Sequence, residues 1–379
     1  MKKEDVASII IYVVIIAAAI VFGVGFLQPK AMTTTLTQGQ YISMIVLSIV
    51  IGVVFNSIYF EVAHIIGAKI GRYDITSVNV LGFTFYRNNE NKIRFKFSSP
   101  KGLTGDVQIY PKADAKKEPN PRPYLMFGTL FFIIEAIALV SVYTLLEQVS
   151  VDNAIFVLIV FFIGGMIFLY NIIPLKLDSV TDGYRLLLVS NPKNKVAFNE
   201  LIRVEKELEK VNKDVEIKVF EEITNFTAEL NLNKAYLFLD KGEYLDSLEI
   251  INQIINAKTQ VAEKVYLRAV SQKVFVYMMV YSIDEAKEKI EKEITHQDRR
   301  NISYDASMVS ARAYILLAGL LDKSKSEVQR TIFDIQKSFK HTNKNRRDVE
   351  IKLFNLALDK VIEAHPNWGL DKYHLTASK

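Results

Sequence analysis

The sequence predicts a polytopic α-helical membrane protein with a short interfacial β-hairpin and an all-α cytosolic domain. Three observations carry that prediction. Half of the 379 residues are hydrophobic, but they are concentrated before residue 175 in four long runs, unlike the even spread of one soluble core. Between the second and third runs the hydrophobic period changes from helical to alternating. After Asp182 and Gly183 the chain becomes rich in Lys and Glu at helical spacing, as in a soluble helical protein.

The four runs, residues 6–27, 41–70, 124–146 and 154–173, are each about 20 residues or longer, enough to cross a hydrocarbon core of roughly 30 Å as helix. Lys2 and Lys3 precede the first run, as they would in a signal peptide. Its length and the lack of a small-x-small cleavage site instead read as a retained anchor. The 71–123 loop carries Arg72, Arg87, Lys92, Arg94, Lys96, Lys101, Lys112, Lys116, Lys117 and Arg122, whereas the short loops on the opposite side offer only Lys30. By the positive-inside rule that loop and both termini are cytoplasmic, in an integral protein of the cell membrane.

Inside this loop, Val78, Val80, Phe83 and Phe85 alternate ahead of Asn88-Asn89-Glu90-Asn91, and Ile93, Phe95 and Phe97 alternate after it. That pattern reads as a β-hairpin over residues 75–98. Pro100, Gly102, Gly105 and Pro111 then mark an irregular loop, and Pro119-Asn120-Pro121-Arg122-Pro123 delivers the chain to the third span. Tyr124 and Tyr170 suit interfacial anchoring, and Gly164-Gly165 suits close helix approach.

The membrane domain is expected over 1–190 and the cytosolic domain over 191–379. In the latter, Leu201 to Lys213 reads as an exposed helix laced by Arg203 with Glu207 and Glu209 with Lys213. Leu232 to Asn256, Val265 to Ile294 and Ser310 to Phe339 each read helix, turn, helix. Aligned on Ala235, Ala269 and Ala313, the first two units are spaced by about 34 residues, near the tetratricopeptide period. Ala235-Tyr236, Gly242 and Tyr244 resemble that repeat, while the later units lack the turn glycine. An ordinary helical bundle fits equally well.

The formal net charge of +5 is accounted for by basic loops beside an anionic leaflet, and no Lys/Arg run with interleaved aromatics points to nucleic acid. With no cysteine in the chain, disulfides, Cys-ligated zinc and Cys nucleophiles are excluded.

Chemistry concentrates in Phe60-Glu61-Val62-Ala63-His64, about 20 residues into the second run and so near its cytoplasmic end at 1.5 Å per residue. H-E-x-x-H on a helix holds zinc with two His at i and i+4 and uses the Glu as general base. Here Phe60 stands in the place of the first His. A second polar cluster, Asn171-Ile172-Ile173-Pro174 followed by Asp182-Gly183, closes the fourth run on the same side. Glu61-x-x-His64 is also half of a di-iron signature, but no second Glu-x-x-His accompanies it. His296, His341, His365 and His374 have no i,i+4 partner and read as solvated or core side chains. Glu135, inside the third run, reads as a cavity-facing group or a partner for a cation.

Together the two clusters resemble the site-2 protease family of intramembrane zinc metalloproteases, over roughly residues 40–190. The resemblance implies Glu61 as general base, His64 and Asp182 as zinc ligands, and Asn171, Pro174 and Gly183 as motif support. It also likens the hairpin to that family's membrane-associated β-structure, which offers an edge to an unwound substrate. Phe60 departs from the pattern and leaves two matched ligands of the three a catalytic zinc keeps. Asp182 also lies farther past Pro174 than in the commonest form, and Glu61, Asn56 and Asp178 are the other candidate donors for the missing ligand.

Three functional expectations follow. The first is a non-proteolytic member that binds transmembrane or signal-peptide-like segments. The second is an active zinc metalloendopeptidase with an unusual ligand set. The third is a membrane-anchored scaffold that captures cytosolic protein partners through its helical repeats.

Overall fold

The computed structural model describes residues 3–30, 32–87, 92–98, 104–112, 118–145, 150–174, 181–209, 215–339 and 344–376. The chain is mostly helical and forms two compact units, Met1–Ile202 and Arg203–Lys379.

In the first unit, α1 (Lys3–Phe22) continues through a π-type turn into α2 (Gln28–Lys30), followed by α3 (Gln38–Ile70). Four strands come next: β1 (Tyr73–Val80), β2 (Phe83–Arg87), β3 (Ile93–Phe97) and β4 (Gly105–Pro111). Then follow α4 (Pro121–Leu145), α5 (Val151–Ile172), α6 (Asp182–Val189) and α7 (Pro192–Glu209). Among the described residues three stretches are long and apolar enough to cross a membrane: α3, Pro121–Leu139 of α4, and α5. In the first helix the apolar stretch Val13–Gly25 is shorter.

Local chemistry sets these helices. The Thr37 hydroxyl accepts from the Gln40 N–H while the Gln40 side chain accepts from the Thr37 N–H, a capping box that starts α3. The expected Pro-rich connector is in part the first turn of α4, where the missing N–H of Pro121 would have had no partner in any case. α3 and α5 meet at glycines: a Cβ on Gly52 would lie 2.7 Å from the Ile163 side chain, and one on Gly164 2.4 Å from Asn56 Oδ1. Across that contact the Asn56 amide donates to Gly52 O at 2.8 Å and to Val160 O at 2.9 Å. Asn56 is thus spent on helix packing. At the N-terminal end of α3, Tyr41 donates to Leu27 O at 2.8 Å and Thr35 to Asp152 at 3.4 Å, so the chain after α1 and the start of α5 share one end.

The β-structure exceeds the expected hairpin. Its antiparallel order is β3-β2-β1-β4. Leu81 and Gly82, at φ of 50° and 91°, break the run that the alternation joins, so Val78 and Val80 belong to one strand and Phe83 and Phe85 to the next. The Asn88–Asn91 turn, Pro100 and Gly102 lie outside the described residues. Part of the expected irregular loop is β4: Val107 and Ile109 alternate into the core with Gln108 and Tyr110 between them, a pattern hidden by the flanking Gly105 and Pro111.

Among its described residues, the regular elements of the second unit are all helices. It contains α8 (Asn225–Lys241), α9 (Tyr244–Asn256), α10 (Glu263–Val280), α11 (Ile283–Glu293), α12 (His296–Tyr304), α13 (Met308–Leu316), α14 (Lys325–Phe339) and α15 (Lys344–Ala364). The pairs α8/α9, α10/α11 and α13/α14 coincide with the three helix-turn-helix stretches read from sequence. Gly242 ends α8 at φ 80°, the left-handed stop that glycine supplies without strain. The expected exposure of the helix around Leu201 is corrected: Ala197, Phe198, Leu201 and Val204 of α7 are buried, although Arg203 and Glu207 do pair at 2.6 Å on its outer face. Lys213 lies outside the described residues.

Candidate functional site

The site is built on the last turns of α3. Glu61 and His64, 2% and 5% exposed, project from one face of that helix with Phe60 beside them. The other half comes from the start of α6. Thr181 donates its hydroxyl to Ile173 O at 2.7 Å and accepts from the Tyr184 N–H, which ties the N-terminus of α6 to the end of α5. Gly183 permits that docking, because a Cβ there would fall 1.9 Å from Ile172 O. Asp182, the first residue of α6, is thereby aimed at His64, with Oδ2 2.9 Å from Nε2.

The imidazole lies between two carboxylates. Glu61 Oε2 is 3.4 Å from Nδ1, opposite the Asp182 contact at Nε2. The other Glu61 oxygen accepts from the Thr104 hydroxyl at 2.8 Å. Arg185, one turn along α6, brings Nη1 to 3.9 Å from Asp182 Oδ1. Each imidazole nitrogen thus faces one carboxylate, and Arg185 sets a guanidinium at the edge of the cluster.

Phe60 seals one side. Its ring meets His64 edge-on at a centroid distance of 4.5 Å and fills a notch at Gly128 of α4, where a Cβ would sit 2.4 Å from the ring. Tyr124, buried beside His64 at 5.2 Å between rings, donates to Val107 O at 2.9 Å and fastens the sheet over the site.

Of the residues singled out by sequence, Glu61, His64, Asp182 and Phe60 converge here. The Asn171 amide donates to Ile167 O of its own helix at 2.9 Å. Pro174 is exposed just beyond α5, and Asp178 lies outside the described residues. Thr104 and Gly128 went unread as site residues, while Gly105 was read only as a loop marker and Tyr124 only as an interfacial anchor. A strand glycine and a lone glycine in an apolar run were the available signals, and both acquire meaning only from a distant partner.

The donor set falls short of a catalytic zinc centre. Glu61 and Asp182 flank different nitrogens whose lone pairs diverge, so a metal on Nε2 would meet His64 and Asp182 but not Glu61. Three protein ligands are the norm. Among the described residues no group of three or more His, Cys, Asp or Glu converges as a metal site. Comparison with protein-family models, curated proteins and solved structures finds no match to the chain, so the family resemblance rests on its motifs.

Proposed function

We propose that the chain is a site-2-protease-like membrane protein of four spans that does not cleave peptides and instead binds transmembrane or signal-peptide-like segments. One observation carries the reading: the Phe60 ring, seated in the Gly128 notch and against the edge of His64, takes the place where the motif needs its first metal-binding His. The remaining polar groups satisfy one another. Glu61, the general base of the motif, has one oxygen on Thr104 and the other facing His64, so both are engaged within the protein. A bound zinc would supply Lewis-acid activation of water. The chain's own residues supply two matched ligands for it, a buried carboxylate pair and an apolar wall.

The second unit, with its three helix pairs, is proposed as a tetratricopeptide-like surface for a cytosolic protein partner. The four-span count and the cytoplasmic termini rest on the apolar first helix and on the basic residues of the 71–123 loop.

The test is zinc content after mild chelation, with cleavage of a transmembrane peptide followed in parallel. Wild type is expected to hold far less than one zinc per chain. Phe60→His is expected to raise affinity by orders of magnitude, since it restores the i,i+4 His pair. Stoichiometric zinc in wild type, together with a cleavage activity that Glu61→Gln abolishes, would establish an active endopeptidase instead.

A further inference from the structure

Glu135 is an acidic residue in the interior of α4, one of the helices apolar enough to cross a membrane. Its place on that helix can be read from its neighbours. Phe131, four residues earlier, packs on Tyr59 of α3 at 5.3 Å between rings. Phe132, three residues earlier, stacks on Phe161 and Phe168 of α5 at 5.1 and 4.6 Å. Four residues past one and three past the other, Glu135 falls between Phe131 and Phe132 around the helix axis at 3.6 residues per turn. Glu135 therefore belongs to the stripe of α4 that looks toward α3 and α5, one turn beyond the aromatic contacts. The outward row is different: Ile134 and Ile137 are 57% and 62% exposed.

An inward stripe in a packed bundle should be buried, yet Glu135 is only partly covered. Part of the Glu135 side chain is thus left uncovered at this level, as are Phe131 and Phe132 one turn before it. On the facing part of α3, Phe55 and Tyr59 stack at 5.8 Å between rings, and Tyr59 also meets Phe131 of α4. The Tyr59 hydroxyl is already given to Phe131 O at 3.1 Å. Among the described residues Glu135 has neither an ion-pair nor a hydrogen-bond partner. It lies seven residues past Gly128, the level of Phe60, so about 10 Å deeper into the bilayer at 1.5 Å per residue. A carboxylate at such depth is costly unless a cation or a polar cavity meets it.

We propose that the partly covered stripe of α4 at Glu135 is the docking site for a transmembrane segment carrying Lys or Arg near its midpoint, with Glu135 as its counter-charge. The inference rests on the reading that the chain binds membrane-embedded segments, and it names the kind. Charge complementarity selects the occupant, because a wholly apolar segment would leave the carboxylate as costly as before.

The experiment uses the full-length protein in lipid vesicles and three leucine-rich transmembrane peptides that differ only in a central Lys, Leu or Glu. Association is read by energy transfer between dyes. The Lys peptide is expected to bind wild type about tenfold more tightly than the Leu peptide, the size of one interhelical polar contact in a membrane. Glu135→Gln should erase that preference, and Glu135→Lys should transfer it to the Glu peptide, which rules out misfolding as the cause. Equal binding of Lys and Leu peptides to wild type would overturn the role of Glu135 while leaving segment binding intact. No association of any of the three peptides would overturn both.

Discussion

One missing methyl group decides where Asp182 points. Gly183 lets the start of α6 lie against the Ile172 carbonyl, and a Cβ at 1.9 Å from that oxygen has no flexible neighbour to displace. Gly183→Ala is therefore expected to push α6 off α5, withdraw Asp182 from His64, and cost about 1–3 kcal/mol or more by overpacking. The check is the melting temperature of the detergent-solubilised protein beside Gly39→Ala. Gly39 lies in the first turn of α3 with nothing within 4 Å, so its replacement should be neutral or stabilising. An unchanged melting temperature for Gly183→Ala would remove the explanation given for the Asp-Gly pair. At this scale, what could be read in the sequence was what is local: Glu61 and His64 lie one helical turn apart, and Asp182-Gly183 are adjacent. Thr104 could not be read that way, because its bond to Glu61 spans 43 positions and exists only once β4 is paired and laid over α3.

Helix α15 is joined to α13 by a buried ion pair, and its energetics can be separated by mutation. Arg312 is 0% exposed, its Nη1 donates to Glu350 Oε2 at 2.9 Å, and its guanidinium lies 5.1 Å from the centre of the Phe275 ring. Taking both charges out of water offsets much of their attraction, so the pair itself adds little, whereas an orphaned guanidinium in this core is expensive. Glu350→Leu is expected to destabilise the unit by about 3–5 kcal/mol, while the double replacement Arg312→Met with Glu350→Leu should stay within about 1 kcal/mol of wild type or exceed it. Urea unfolding followed by Trp368, the single tryptophan, stacked on His365 at 4.0 Å, reports the difference. A double variant no more stable than the single one would show that the ion pair is a net source of stability. The helix pairs of this unit were legible because Lys and Glu mark the solvent face and small residues mark the seams. Where charge dominated, the reading erred: the Arg203–Glu207 pair drew attention from Leu201 and Val204, which are the buried side of the same helix.

Across the first unit, the contacts within it order its two ends. Leu27, Tyr41, Thr35 and Asp152 gather at one, and the sheet, the capped start of α6 and the Glu61-His64-Asp182 cluster gather at the other. Such an arrangement suits a bilayer-spanning bundle whose site lies at the end that carries the basic loop, and the expected orientation follows from ten basic residues in the 71–123 loop against Lys30 opposite. Because the chain has no cysteine, single introduced cysteines test it cleanly with an impermeant thiol reagent in intact cells. Gln38→Cys, at the exposed start of α3, is expected to react, and Asn89→Cys to be protected until the membrane is opened. The reverse pattern would invert the model. A third position tests the first helix, whose described apolar stretch, Val13–Gly25, is shorter than the three others. If that helix crosses, Lys2→Cys is protected together with Asn89→Cys. If it lies outside the hydrocarbon core, position 2 reacts like position 38 and the bundle has three spans. The four-span reading therefore predicts labelling at position 38 alone among the three.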